Sequence, residues 1–115
     1  MDADCIFCKI VNGDIPAELV YQDEQVAAFH DINPAAPTHI LIVPIKHIPS
    51  TNNLTMEDEA LIGHLFTVAS QLAEQENIHK SGYRLIINTG PDAGQAVFHI
   101  HLHLLGGQRM CYPMG

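Results

Sequence analysis

From Phe98 to Gly107 the chain reads FHIHLHLLGG, with histidine at every second position among large apolar residues. A period of two is the signature of an extended strand, in which successive side chains point to opposite faces. His99, His101 and His103 are thereby predicted on one face, and Phe98, Ile100, Leu102 and Leu104 on the other. Such a strand needs an apolar layer against one side and a chemical reason for the other, because each imidazole taken out of water needs a partner for its ring N–H. Spacing alone leaves two chemistries open. The three imidazoles could share one metal ion, or one neutral imidazole could attack phosphorus while a second donates a proton and a third orients them. The preceding loop, NTGPDAGQAV, supplies Gly90 and Gly94, and glycines let backbone amides approach a phosphate closely.

The rest of the chain offers the missing layers. LVYQDEQVAAFHD holds two short strand-like runs around the polar turn Asp23-Glu24-Gln25, a predicted hairpin. INPAAP is a stiff loop, since Pro34 and Pro37 fix φ and restrict the residues before them. A β-branched, mostly apolar strand follows from about Thr38 to Val43, ended by Pro44, and a further strand is expected from Tyr83 to Asn88. Thr55 and Asp58 resemble a capping box, with Asp in place of the usual Glu or Gln, and open the one long helix, over roughly residues 56–77. Leu61, Ile62, Leu65, Phe66, Ala69, Leu72 and Ala73 recur at helical intervals along one face. The N-terminal CIFCKIVNG could add a short helix. The expected class is α+β: an antiparallel sheet packed on one long helix plus the short N-terminal one, as a single domain over residues 1–115.

Thirteen acidic against five scattered basic residues give a formal charge of −8. That argues against nucleic-acid or anionic-membrane partners, which need basic patches. A phosphate would have to be met locally, by histidines, backbone amides or a helix end. No apolar run approaches a membrane span, and the acidic MDADCIFCKI is unlike a signal peptide, so a cytoplasmic location is expected. Three cysteines in such a compartment do not read as a disulfide scaffold. Cys5 and Cys8 form C-x-x-C, which points to metal or redox chemistry.

HIHLHLL resembles the histidine triad (HIT) motif, and nearly the whole chain, including PTHILIVPIKHI and the Gly-Gly after the triad, is similar to the Hint-like nucleoside phosphoramidate hydrolase branch of that family. The resemblance implies a HIT-like fold. It implies hydrolysis of purine nucleoside phosphoramidates or acyl-nucleotides, conjugates of AMP or GMP, through a covalent nucleotidyl-histidine that water resolves to the nucleoside monophosphate. By it, His101 is the nucleophile, His103 contacts the phosphate, and His99 and His39 complete the catalytic set. Asp31 and Ile32 are placed at the ribose and base, Asn88 and Gly94 beside the phosphate, and Gln95 and Ala96 in the same nucleotide-binding group. Ala96 stands where many relatives carry a serine on the leaving-group side; a nucleotide-binding regulator with little activity is the alternative it keeps open. Two cysteines and two histidines, Cys5, Cys8, His47 and His99, are implied as ligands of a structural zinc, with no metal required for the chemistry. The resemblance further implies a homodimer, with Tyr112 near the partner's site.

Overall fold

The computed structural model of the chain describes residues 4–111. Its elements run α1 (Ile6–Val11), β1 (Leu19–Gln22), β2 (Val26–His30), β3 (Thr38–Pro44), α2 (Glu59–Gln75), β4 (Tyr83–Ile86) and β5 (Leu102–Gly106), with short 3-10 turns at Thr51–Asn53, Met56–Asp58 and Pro91–Ala93. The five strands form one antiparallel sheet in the order β1-β2-β3-β5-β4. This is the expected α+β architecture.

β3 is central and covered on both faces, which is why its sequence is an unbroken apolar run instead of an alternation. Ile40 and Ile42 join Val26, Ala28, Leu102 and Leu104 in a core under α2. Leu41 and Val43 pack on the opposite face with Ala27, Phe29, the α1 residues Phe7 and Cys8, and Cys5 just before that helix. The register aligns Ile40 with Leu104 and Leu41 with His103, so the α2 core and the histidine side of the sheet are set by one pairing. α2 is preceded by the expected capping box, Thr55 N–H donating to Asp58 Oδ2 at 3.0 Å. Its buried stripe is Leu65, Val68, Ala69, Leu72 and Ala73. Phe66, expected within that stripe, lies at its margin and is 42% exposed. After the triad, Gly106 is required by space: a Cβ there would lie 2.6 Å from Ile78 Cδ1.

Two expected strands are shorter than their patterns. β4 ends at Ile86, before Asn88, and β5 begins only at Leu102, so His99 and His101 precede it. Ile100 N–H is tied to the Ile48 carbonyl at 2.7 Å rather than to a neighbouring strand. Freed from the pleat, Phe98 turns outward at 55% exposed, against its expected place on the apolar face.

The β1–β2 turn is built on Asp23. Its Oδ1 accepts the N–H groups of Gln25 and Val26, both at 2.8 Å, and its Oδ2 accepts from Tyr21 Oη and pairs with His64 Nε2 on α2, both at 2.6 Å. Partial burial alone would raise this carboxyl's pKa; the hydrogen bonds from Tyr21, His64, Gln25 and Val26 outweigh it and hold the group well below the usual carboxylate range. A depressed carboxylate pKa stabilises the fold above the unfolded value near 3.8 and is lost as pH falls below it. Asp23→Asn is expected to cost about 1–2 kcal/mol at neutral pH, with the gap to wild type closing in melts run at progressively more acid pH.

Candidate active site

A cavity of about 540 Å³ opens on the α1 side of the sheet, and Asp31, Ile32, Asn88, Gly94, Ala96, His101 and His103 all line it. Phe7, Phe29 and Leu41 give it an apolar floor, and Ile32 stands 90% exposed at its edge. Phe7 carried no expectation from the sequence, because an aromatic in a short helix has no pattern that marks it.

The hydrogen-bond partners assign the imidazole tautomers. Ala35 N–H donates to His39 Nδ1 at 3.0 Å, which puts the His39 proton on Nε2. That N–H points to His103 Nδ1 at 2.9 Å, with Asp31 Oδ2 at 3.4 Å from the same nitrogen. His103 must then carry its own proton on Nε2, a buried atom that lacks a partner and belongs to a residue of the cavity wall. A buried N–H donor left unmatched costs stability unless something fills the place. His101 has the opposite arrangement: Nδ1 lies 2.8 Å from the His99 carbonyl oxygen, which can only accept, so the lone pair is on Nε2.

These imidazoles are neutral at neutral pH. Burial pushes His101 down, against the hydrogen bond to the His99 carbonyl and the charge of Asp31, and pushes His39 down against Asp31. For His103, burial and then the neighbouring His101 and His39 bring the pKa from 6.5 to about 4, opposed by Asp31. Because the folded form resists protonation, His103 contributes stability that is full above pH 6.5 and is lost as pH falls toward about 4. Activity that depends on this neutral array should persist below pH 6.5 and decline as pH approaches about 4, where a proton on His103 Nδ1 removes the acceptor for His39. A kcat/KM profile with its acid limb at or above 6.5 would contradict that.

The triad does not act as one ligand set. His99 is fully buried outside the cavity wall, beside Cys5, Cys8 and His47. Its Nε2 faces the Pro44 carbonyl at 2.7 Å and so carries the proton, which leaves the Nδ1 lone pair facing Cys5 Sγ at 3.3 Å, Cys8 Sγ at 3.6 Å and His47 Nδ1 at 3.2 Å. Cys8 Sγ is 3.4 Å from His47 Nδ1. Bond lengths of about 2.0–2.3 Å in a tetrahedral zinc site imply ligand-to-ligand edges of roughly 3.3–3.8 Å. The four distances, 3.2 to 3.6 Å, lie at or close to that range. Among the described residues, His99, His101 and His103 do not form a ligating group; the other cluster is Asp31, His39 and His103, where the bond from Ala35 leaves a proton on the nitrogen a metal would need.

Gln95, alone of the expected nucleotide-binding group, is not among the residues that line the cavity. Gln95 is turned away from the cavity: Nε2 donates to the carbonyls of Pro49 at 2.8 Å and Val97 at 3.0 Å, and Oε1 accepts Gly90 N–H at 2.9 Å. The amides expected to approach a phosphate are also engaged within the loop, Gly94 N–H to Pro91 O and Gln95 N–H to Gly90 O. Asp31 caps a turn, its Oδ1 accepting Asn33 N–H at 2.8 Å, and also borders the cavity. Tyr112 lies outside the described residues. Among those described, no helix is long and apolar enough to cross a membrane.

The model of the HIT domain matches residues 12–110. The chain is 53% identical over all 115 residues to the purine nucleoside phosphoramidase of Escherichia coli K12, covering 93% of that protein. It is 46% identical to an uncharacterised HIT-like protein of Synechococcus elongatus, each covered in full. A HIT family hydrolase from Legionella pneumophila superposes with a TM-score of 0.94 at 47% identity, over 97% of this chain and 100% of that one. A histidine triad protein from Clostridium difficile gives 0.94 at 42% identity, over 97% of each.

Proposed function

The chain belongs to the HIT domain family, and from that premise we propose that it hydrolyses purine nucleoside phosphoramidates through a covalent nucleotidyl-His101. One observation carries the reading: a neutral imidazole with its lone pair on Nε2 and a second with an unmatched Nε2–H border the same cavity. The first is a nucleophile and the second a donor for a phosphoryl oxygen. His101 Nε2 attacks phosphorus, the P–N bond breaks, and the amine takes a proton from solvent as it departs. Nδ1–H keeps its bond to the His99 carbonyl while the ring carries the nucleotidyl group. Water then attacks phosphorus and gives up a proton to solvent, His101 Nε2 leaves, and the nucleoside monophosphate is released. Asp31 accepts from the ribose hydroxyls and Ile32 packs on the base; Asn88, Gly94 and Ala96 flank the phosphate. With no basic surface, the negative charge is met by His103.

Zinc is the second part of the reading. Cys5, Cys8, His47 and His99 would hold it, and it would supply cross-linking between the N-terminal segment and the approach to β5 rather than activation of water. The match of the four ligand atoms to a tetrahedral shell supports this. About one zinc per chain is expected in freshly purified protein, and a metal content far below that would remove the assignment. A cytoplasmic homodimer completes the proposal, supported by the resemblance to the Hint-like branch.

The test is release of AMP from adenosine phosphoramidate by the purified chain, with acid quenching to trap nucleotide bound covalently to protein. AMP together with trapped nucleotide is the expected result; AMP without a trapped adduct would favour direct attack by water. Retained binding with no turnover would favour a nucleotide-binding regulator, the reading that Ala96 at the cavity wall favours.

A further inference from the structure

We infer that the Cys5–Cys8–His47–His99 cluster and Phe7 together position the His101 imidazole, an inference that rests on the hydrolase reading of the cavity. Rotation of an imidazole about Cβ–Cγ is broad, so a nucleophilic ring must be held by its surroundings. Two restraints are visible besides the His103 ring, whose centroid lies 4.9 Å away. The first is the His99 carbonyl, 2.8 Å from His101 Nδ1. The second is the Phe7 ring, with its centroid 5.0 Å from that of His101 and the planes at 81°.

Both restraints lead to the cysteine–histidine cluster. His99 offers its side chain to the cluster and its main-chain oxygen to the nucleophile, so one residue belongs to both sites. Phe7 sits between Cys5, the N-cap of α1, and Cys8 within α1, whose N–H is directed at Cys5 Sγ. The same ring stacks edge-on against His99, with centroids 5.9 Å apart, and against Phe29 at 5.4 Å. A metal held by the four ligands would lock α1 and residue 99 into one frame, and that frame carries two of the surfaces around His101, the carbonyl on Nδ1 and the Phe7 ring. The metal takes no part in bond making; Phe7 and His99 are positioning residues. Small displacements of a reacting group lower the rate steeply while leaving substrate binding nearly intact.

The experiment compares the zinc-loaded chain with the same preparation after chelation and removal of the metal. The readouts are kcat and KM for adenosine phosphoramidate, AMP affinity, and the ring nitrogen NMR signals of His101. On zinc removal kcat should fall by about ten-fold or more, with KM and AMP affinity unchanged. The single Nδ1–H tautomer of His101 should give way to a mixture, and zinc should restore both properties. Phe7→Leu, still binding zinc, should lower kcat by a much larger factor than it raises KM, since the ring also lines the cavity, and Phe7→Tyr, which keeps the ring, should recover most of the kcat. Equal kcat and identical His101 signals with and without zinc would overturn the inference, as would parallel losses of kcat and AMP affinity or a chain that takes up no zinc. If the metal-free chain unfolds, zinc-loaded Phe7→Leu decides, and wild-type kcat in that variant overturns the inference. Absence of turnover by zinc-loaded wild type refutes the hydrolase reading instead, and the His101 signals then test positioning without it.

Discussion

His101→Ala leaves a folded chain that binds nucleotide and does not turn it over. The imidazole lies at the cavity wall, and truncating it enlarges the cavity instead of opening a void in the core beneath α2. Asp31, Ile32 and Asn88, on other segments, keep the nucleoside side of the cavity intact. Deleting a covalent nucleophile costs about 10³-fold or more in kcat. AMP release should therefore fall to background, the acid-stable nucleotidyl-protein should disappear, and AMP affinity should stay near wild type. Retained turnover would refute the covalent route.

His99→Ala, two residues away, should damage the fold instead. This ring is fully buried, donates to the Pro44 carbonyl, faces Cys5, Cys8 and His47, and packs edge-on against Phe7 and His47. Its removal leaves a buried carbonyl unmatched and a void where an aromatic stood. Together these cost about 3–5 kcal/mol, enough to lower the melting temperature by roughly 10 °C or more in a domain of this size. Any contribution of zinc to stability is lost as well. A melting curve for His99→Ala that overlays that of His101→Ala would show that the two histidines are not divided between structure and chemistry.

The sequence could foretell the elements because their signals are local. A capping pair, a helical stripe and a β-branched run each report the faces of one segment, and the long helix and central strand came out accordingly. The alternating histidines were harder, since a period of two says that neighbours face opposite ways only while the chain stays pleated. At Ile100 the backbone bonds to Ile48, so the pattern is interrupted before β5 begins, and Phe98 leaves the apolar face. The bonds of Gln95 and the loop amides were illegible for a related reason: glycine-rich composition marks freedom to approach a ligand and is silent about bonds the loop makes to itself. Phe7 and the Asp23–His64 pair join residues distant in sequence or hidden in unremarkable contexts, and only the fold brings them into contact.

The contact between Cys5 and His99 spans 94 positions of the chain. A polypeptide emerging from the ribosome N-terminus first carries its cysteines long before it carries the triad, and β5 cannot pair fully with β3 until synthesis has passed Gly106. Closing so large a loop is entropically costly and is rewarded only by contacts made at the end. Chains that stop short of the triad therefore possess Cys5, Cys8 and His47 without His99, and lack the proposed nucleophile His101, so synthesis itself confines the proposed hydrolysis to chains that have reached the end of the triad.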